Sequence, residues 1–140
     1  MLTTALLMAV IAFAACQTGY DIPKGQLPSV LQTNNLEQDV GATYNAAVDT
    51  IFLRPNFDPR FLQDQATLAH EVTHWLQDMN GQMTRLRCSL EQEAYRVGDK
   101  YQEMFGRDIK SLLTRNERIL REKATKCPTA PHPTTISTRR

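Results

Sequence analysis

A chain of 140 residues has room for one domain. Its hydrophobic share of 41% and charged share of 22% are those of an ordinary folded protein. Sixteen basic side chains against fifteen acidic ones leave a formal charge of +1, which gives no basic stripe for a nucleic-acid partner.

The chain opens on ALLMAVIAFAA (5–15) and carries no charge before Asp21. A bilayer span takes about 20 apolar residues, so this run fits the apolar region of an export signal better. Two exits are open. Ala12-Phe13-Ala14 is an A-x-A cleavage pattern, and Ala14-Ala15-Cys16 resembles the end of a bacterial lipoprotein signal, in which Cys16 is lipidated and anchors the chain to a membrane. The other reading is an apolar first helix packed on the domain. Export implies a periplasmic, secreted or membrane-anchored protein with residues 1–16 as signal. It leaves Cys88 and Cys127 as a pair able to close a loop in an oxidising compartment, worth roughly 3 to 4 kcal/mol. Two free buried thiols are the alternative.

Residues 17–39 mix Gly19, Pro23, Gly25 and Pro28 with the polar stretch QTNNLEQD and read as a linker or irregular lead-in. A minimal domain then runs over 40–127. Val48, Ile51, Phe52 and Leu53 have strand character, and Ala42 to Tyr44 can pair with them across a turn near Asn45. Asp58-Pro59 reads as a helix start, with Leu62, Ala66, Ala69, Val72, Leu76 and Met79 on one face and Asn80-Gly81 as the stop. Ser89 and Gln92 suggest a capping box for a second helix ending at Gly106, with Leu90, Ala94, Val97, Tyr101 and Met104 inward. A third helix is expected from Asp108 to about Lys123, with Ile109, Leu112, Leu113 and Leu120 inward. Residues 128–140 hold three prolines and little to bury, so a disordered tail is expected. The fold class is α+β: a short hairpin or small sheet followed by three helices, the first of them central.

That first helix carries His70-Glu71-Val72-Thr73-His74. Residues four apart share a helix face, so both imidazoles can offer a nitrogen to one metal ion. Glu71, one residue on, lies beside that ion, where it can take a proton from a zinc-bound water. A catalytic zinc site needs a third protein ligand. His132 sits in the proline-rich tail and is a weak candidate. Glu91 and Glu93 lie on the next helix but, two apart, face different ways. Cys88 is a further option that competes with the disulfide. Tyr95, one turn after Glu91, can support a ligand or simply pack, and Trp75 reads as core. The segment Val48 to Leu53 is a candidate edge for an extended peptide.

The stretches LAHEVTHWLQ, CSLEQEAYRV and MFGRDI, over roughly Tyr44 to Cys127, resemble the zincin metallopeptidases, in particular the gluzincin group. That resemblance implies a third ligand in Glu91-Gln92-Glu93-Ala94-Tyr95, with Glu91 as the ligand, Glu93 its alternative, and the small Ala94 allowing close helix packing. It implies a zinc-dependent hydrolase acting on a peptide or protein substrate, with Glu71 as general base. The chain lacks the extra subdomain with which larger gluzincins build a cleft. A non-catalytic, zinc-stabilised binding or structural module of the cell envelope is therefore the alternative.

Overall fold

The computed structural model describes residues 2–37, 40–105 and 115–128. Among them the chain forms α1 (Thr4–Thr18), β1 (Ser29–Gln32), β2 (Ala42–Asn45), β3 (Thr50–Leu53), α2 (Leu62–Met79), α3 (Arg87–Met104) and α4 (Arg115–Thr125). This is the expected α+β class, with the His70–His74 helix at its centre.

The apolar N-terminal run is a capped helix. Thr3 Oγ1 accepts the Leu6 N–H at 3.1 Å, and Gly19, at φ 80°, donates its N–H to Ala15 O at 2.8 Å. Leu7, Val10, Ile11, Ala14 and Ala15 recur at helical spacing and are buried in the core, while Phe13 meets Tyr101 of α3 edge to face at 5.1 Å. Cys16 lies on the exposed side. No helix among the described residues is long and apolar enough to cross a membrane.

The hairpin expected near Asn45 is present. β2 and β3 pair antiparallel, with Ala42 opposite Leu53 and Asn45 opposite Thr50, through a turn in which Asp49 takes φ 50°. Val48 falls in that turn and is exposed. β1 lies inside the stretch that reads as a linker and pairs parallel to β3, Ser29 opposite Thr50. The strand order is β1-β3-β2, so β3 is central. Its backbone is bonded on both sides, which removes the Val48–Leu53 segment as an edge for peptide addition.

α2 is covered by α1, α3 and β2. Ala66, Leu68, Ala69, Val72, Trp75 and Leu76 are buried, and so are the polar Glu71, Thr73 and Gln77. Thr73 Oγ1 donates to Ala69 O at 2.8 Å, which satisfies its hydroxyl within the helix. Tyr44 of β2 donates its phenolic proton to Asp78 Oδ2 at 2.6 Å, with Asp49 Oδ1 at 2.9 Å, and so ties the hairpin to the end of α2.

Both helix starts differ from expectation for local reasons. α2 begins at Leu62, beyond Asp58-Pro59. Asp58 Oδ1 instead accepts the Arg60 N–H at 2.9 Å in a tight turn, and the Asp58 N–H goes to Asp64 Oδ2 in the first turn of α2. α3 begins at Arg87, and no capping box forms: Ser89 Oγ accepts from Arg85 Nη2 at 2.8 Å, and Gln92 Nε2 donates to Thr125 O at 2.7 Å. Met104 and Leu120, expected inward, are exposed. α4 is held to α3 by polar and covalent links, with Arg121 Nη1 at 2.7 Å from Asp99 Oδ1 and the Cys88–Cys127 disulfide, whose Cα atoms are 5.1 Å apart. Gly106, Ile109, Leu112, Leu113, His132 and the rest of the tail lie outside the described residues.

Replacing both Cys88 and Cys127 by serine is expected to cost about 3–4 kcal/mol of unfolding free energy, read from denaturant midpoints without reductant. Tyr44 supplies a second test. Burial pushes its phenol up, and the bonds to Asp78 and Asp49 add to this. The stabilisation is therefore complete below its ordinary value of 10.0 and is lost as the pH rises above it. Tyr44→Phe is expected to lower stability at neutral pH by about 1 kcal/mol and to flatten the alkaline loss in pH-resolved urea unfolding.

Candidate metal centre

His70 and His74 project from one face of α2, with ring centroids 4.9 Å apart. With Glu71 they form a group whose donor atoms all lie within 4.8 Å of one another, and which could hold a metal ion. α3 runs back along this face: Gln77 meets Leu90, Ala66 meets Gly98 and Gln65 meets Tyr101. The antiparallel return follows from the short Asn80–Leu86 connection. Close approach depends on small residues. Ala94 is fully buried, and a Cβ at Gly98 would lie 3.2 Å from Ala66 O and 3.8 Å from His70 Cβ. A mid-helix glycine costs about 1 kcal/mol against alanine, a cost that makes sense here because the space belongs to α2.

This packing delivers Glu91 to the histidines. Its Oε1 lies 3.1 Å from His70 Nε2 and 2.5 Å from His74 Nε2. Glu71 Oε2 stands farther off, 3.9 Å from His70 Nε2. The side chains of His70, Glu71, His74 and Glu91 are 13%, 9%, 14% and 14% exposed. Two imidazole N–H groups thus aim at one carboxylate oxygen. A divalent cation can replace those protons and use the same atoms as ligands, and this nitrogen and oxygen donor set fits such an ion.

The charges of the three groups are coupled. Burial pushes Glu91 up, but the hydrogen bonds and charges of His70 and His74 reverse this and hold its carboxyl far below the usual range. Burial likewise pulls His74 down. The Glu91 hydrogen bond, the charges of Glu71 and Glu91 and the bond to Gln77 together outweigh it and raise the imidazole.

The other sequence candidates lie elsewhere. Glu93 turns away from both Nε2 atoms: it accepts the Tyr20 hydroxyl, Gln77 Nε2 at 3.1 Å and Arg85 Nη1 at 3.3 Å. Cys88 is committed to the disulfide and offers no thiolate. Tyr95 packs edge-on against His70 at 4.3 Å, with the Arg121 guanidinium 4.4 Å from its ring centre on the side of α4. Trp75 is fully buried in the core, as expected.

Two residues escaped the sequence reading. Gly98 has no chemistry to announce it. Gln77 had a signal: a polar residue one turn after His74, on a helix predicted to be buried. Its Oε1 lies 2.8 Å from His74 Nδ1.

Comparison with known proteins found no matching family model, no similar curated protein and no similar solved structure.

Gly98→Leu is expected to push α3 off α2, lower stability by about 1–3 kcal/mol and weaken divalent-ion binding, measured by thermal melts and calorimetric titration. Binding as tight as in the wild type would show that the helix separation does not set the site.

Proposed function

We propose that the chain is a zinc-dependent hydrolase of zincin type, a small metallopeptidase acting outside the cytoplasm. In this reading His70, His74 and Glu91 hold the zinc and Glu71 is the general base. The observation that carries it is the meeting of Glu91 Oε1 with both imidazole Nε2 atoms beside the buried Glu71. Two histidines and one carboxylate are a catalytic zinc ligand set, whereas structural zinc sites lean on cysteine.

When bound, zinc supplies a Lewis acid that polarises a carbonyl and brings the acidity of water close to neutral pH. Glu71 sits beside the donor atoms with no hydrogen bond to another described residue, so its carboxylate is available to take the proton of an attacking water. It then returns that proton to the leaving amine. Tyr95 backs the His70 ring and limits its rotation. In this reading an extended peptide would add along β2, which is an edge of the sheet. β2 also flanks the site lengthwise: a Cβ at Gly41 would lie 3.8 Å from Thr67 Cγ2, and Tyr44 bonds Asp78, with the three motif residues between.

The Cys88–Cys127 disulfide supports an oxidising compartment. α1 supplies core side chains, so the mass of the mature protein discriminates a retained helix from cleavage after Ala14 or lipidation at Cys16.

One observation favours the second reading, a zinc-stabilised module without turnover. The side chains of His70, His74 and Glu91 are only 13%, 14% and 14% exposed, which leaves little open space at the donor atoms for water or substrate. Glu71→Gln separates the two. It is expected to keep its zinc while peptide hydrolysis falls by about 10²- to 10⁴-fold, whereas Glu91→Ala loses both and Glu93→Gln loses neither. Zinc content by mass spectrometry and cleavage of a peptide library are the readouts. A zinc-loaded wild type that melts higher than the metal-free protein yet cleaves nothing would establish the module.

A further inference from the structure

The structure assigns to Gln77 the positioning of His74, through a relay that ends on Glu93. Gln77 is fully buried, so every polar atom of its amide needs a partner inside the protein. Its Nε2 lies 2.9 Å from Leu90 O and 3.1 Å from Glu93 Oε1. Both of these groups accept hydrogen bonds only, so the NH₂ end of the amide must face them. The reversed amide would set its oxygen against a carbonyl and a carboxylate at once. The oxygen end is thereby forced toward His74 Nδ1, at 2.8 Å, where it can only accept. His74 must then carry a proton on Nδ1, and its Nε2 is turned to Glu91 and the motif face.

Glu93 is the anchor of this relay. It is itself fixed by the Tyr20 hydroxyl and the Arg85 guanidinium, and Arg85 Nη1 also bonds Tyr20 at 2.8 Å. The segment after α1 and the loop before α3 are thus tied to the orientation of one imidazole. Glu93 is the carboxylate spaced like a ligand two residues from Glu91, and its role is to orient a ring from behind. Neither Gln77 nor Glu93 touches the reacting atoms, and both are positioning residues.

The inference rests on the zinc reading for its consequence and not for its geometry, and the test separates the two. Long-range proton–nitrogen NMR of the histidine rings in the metal-free protein is expected to show a hydrogen-bonded proton on His74 Nδ1, retained in Glu93→Gln, whose amide oxygen still accepts from Gln77, and lost in Gln77→Met. Zinc titration against a competing chelator is expected to show affinity about 10- to 100-fold weaker for Gln77→Met and close to wild type for Glu93→Gln. A bare Nδ1 on His74 in the wild type overturns the inference, even if Gln77→Met does not fold. So does unchanged zinc affinity in a folded Gln77→Met. A wild type that shows the Nδ1 proton but takes up no zinc leaves the relay standing and overturns the metal reading.

Discussion

A carboxylate oxygen held between two imidazole nitrogens at the interface of two helices is expensive to build. Burial alone disfavours the charge on Glu91 and on any protonated histidine, and only their mutual contact reverses that. The three groups therefore stabilise one another or not at all, and the spacing between α2 and α3 has to be right for all of them together. Ala94 and Gly98 set that spacing from one side, and Ala66, whose carbonyl oxygen would lie 3.2 Å from a Cβ at Gly98, sets it from the other. The disulfide acts at the same place: Cys88 precedes Glu91 by one helical turn, so the cross-link to α4 restrains the end of α3 that presents the carboxylate.

Glu91 and Glu93 show how register divides labour on one helix. Residues two apart on a helix point about 200° from each other, so two carboxylates in one short motif cannot serve the same centre. Glu91 falls on the side of the histidine Nε2 atoms. Glu93 falls among Tyr20, Gln77 and Arg85, where donors surround it. His74 is the point at which the two environments meet, with Nε2 on the Glu91 side and Nδ1 on the Gln77 side.

The central helix was legible because its signal was strong and local: a 3.6-residue apolar stripe and two histidines four apart both demand one geometry. The hairpin was legible from β-branched and aromatic residues around a turn, and the Cys88–Cys127 pairing from setting Cys16, one of three cysteines, aside in the apolar N-terminal run. What escaped needed tertiary context. β1 is four residues long, and its only partly buried side chain is Val30, so no alternation marks it. Asp58 and Ser89 are good capping residues on paper, but neighbouring arginines, Arg60 and Arg85, compete for their oxygens. Leu120 lies on a helix that charge pairing and a disulfide hold in place, so its apolar side chain was a poor guide to which face turns inward. The choice between Glu91 and Glu93 could be framed from spacing but came from the resemblance, and the sheet that makes β3 central was invisible until β1 was placed.

The enclosure of α2 links the N-terminal segment to the site. In the proposed reading, where Glu71 moves a proton, little water competes for its lone pairs: it is 7% exposed because α1, α3 and β2 cover most of α2. That cover comes from β2, from α3 and from α1, whose apolar side chains pack into the same cluster as Leu68, Val72 and Trp75. Tyr20, directly after α1, closes the relay on Glu93 from that side. The N-terminal segment is thus coupled to His74 both through the core and through a hydrogen-bond chain, and whether it is retained in the mature protein decides how dry and how rigid the motif face is.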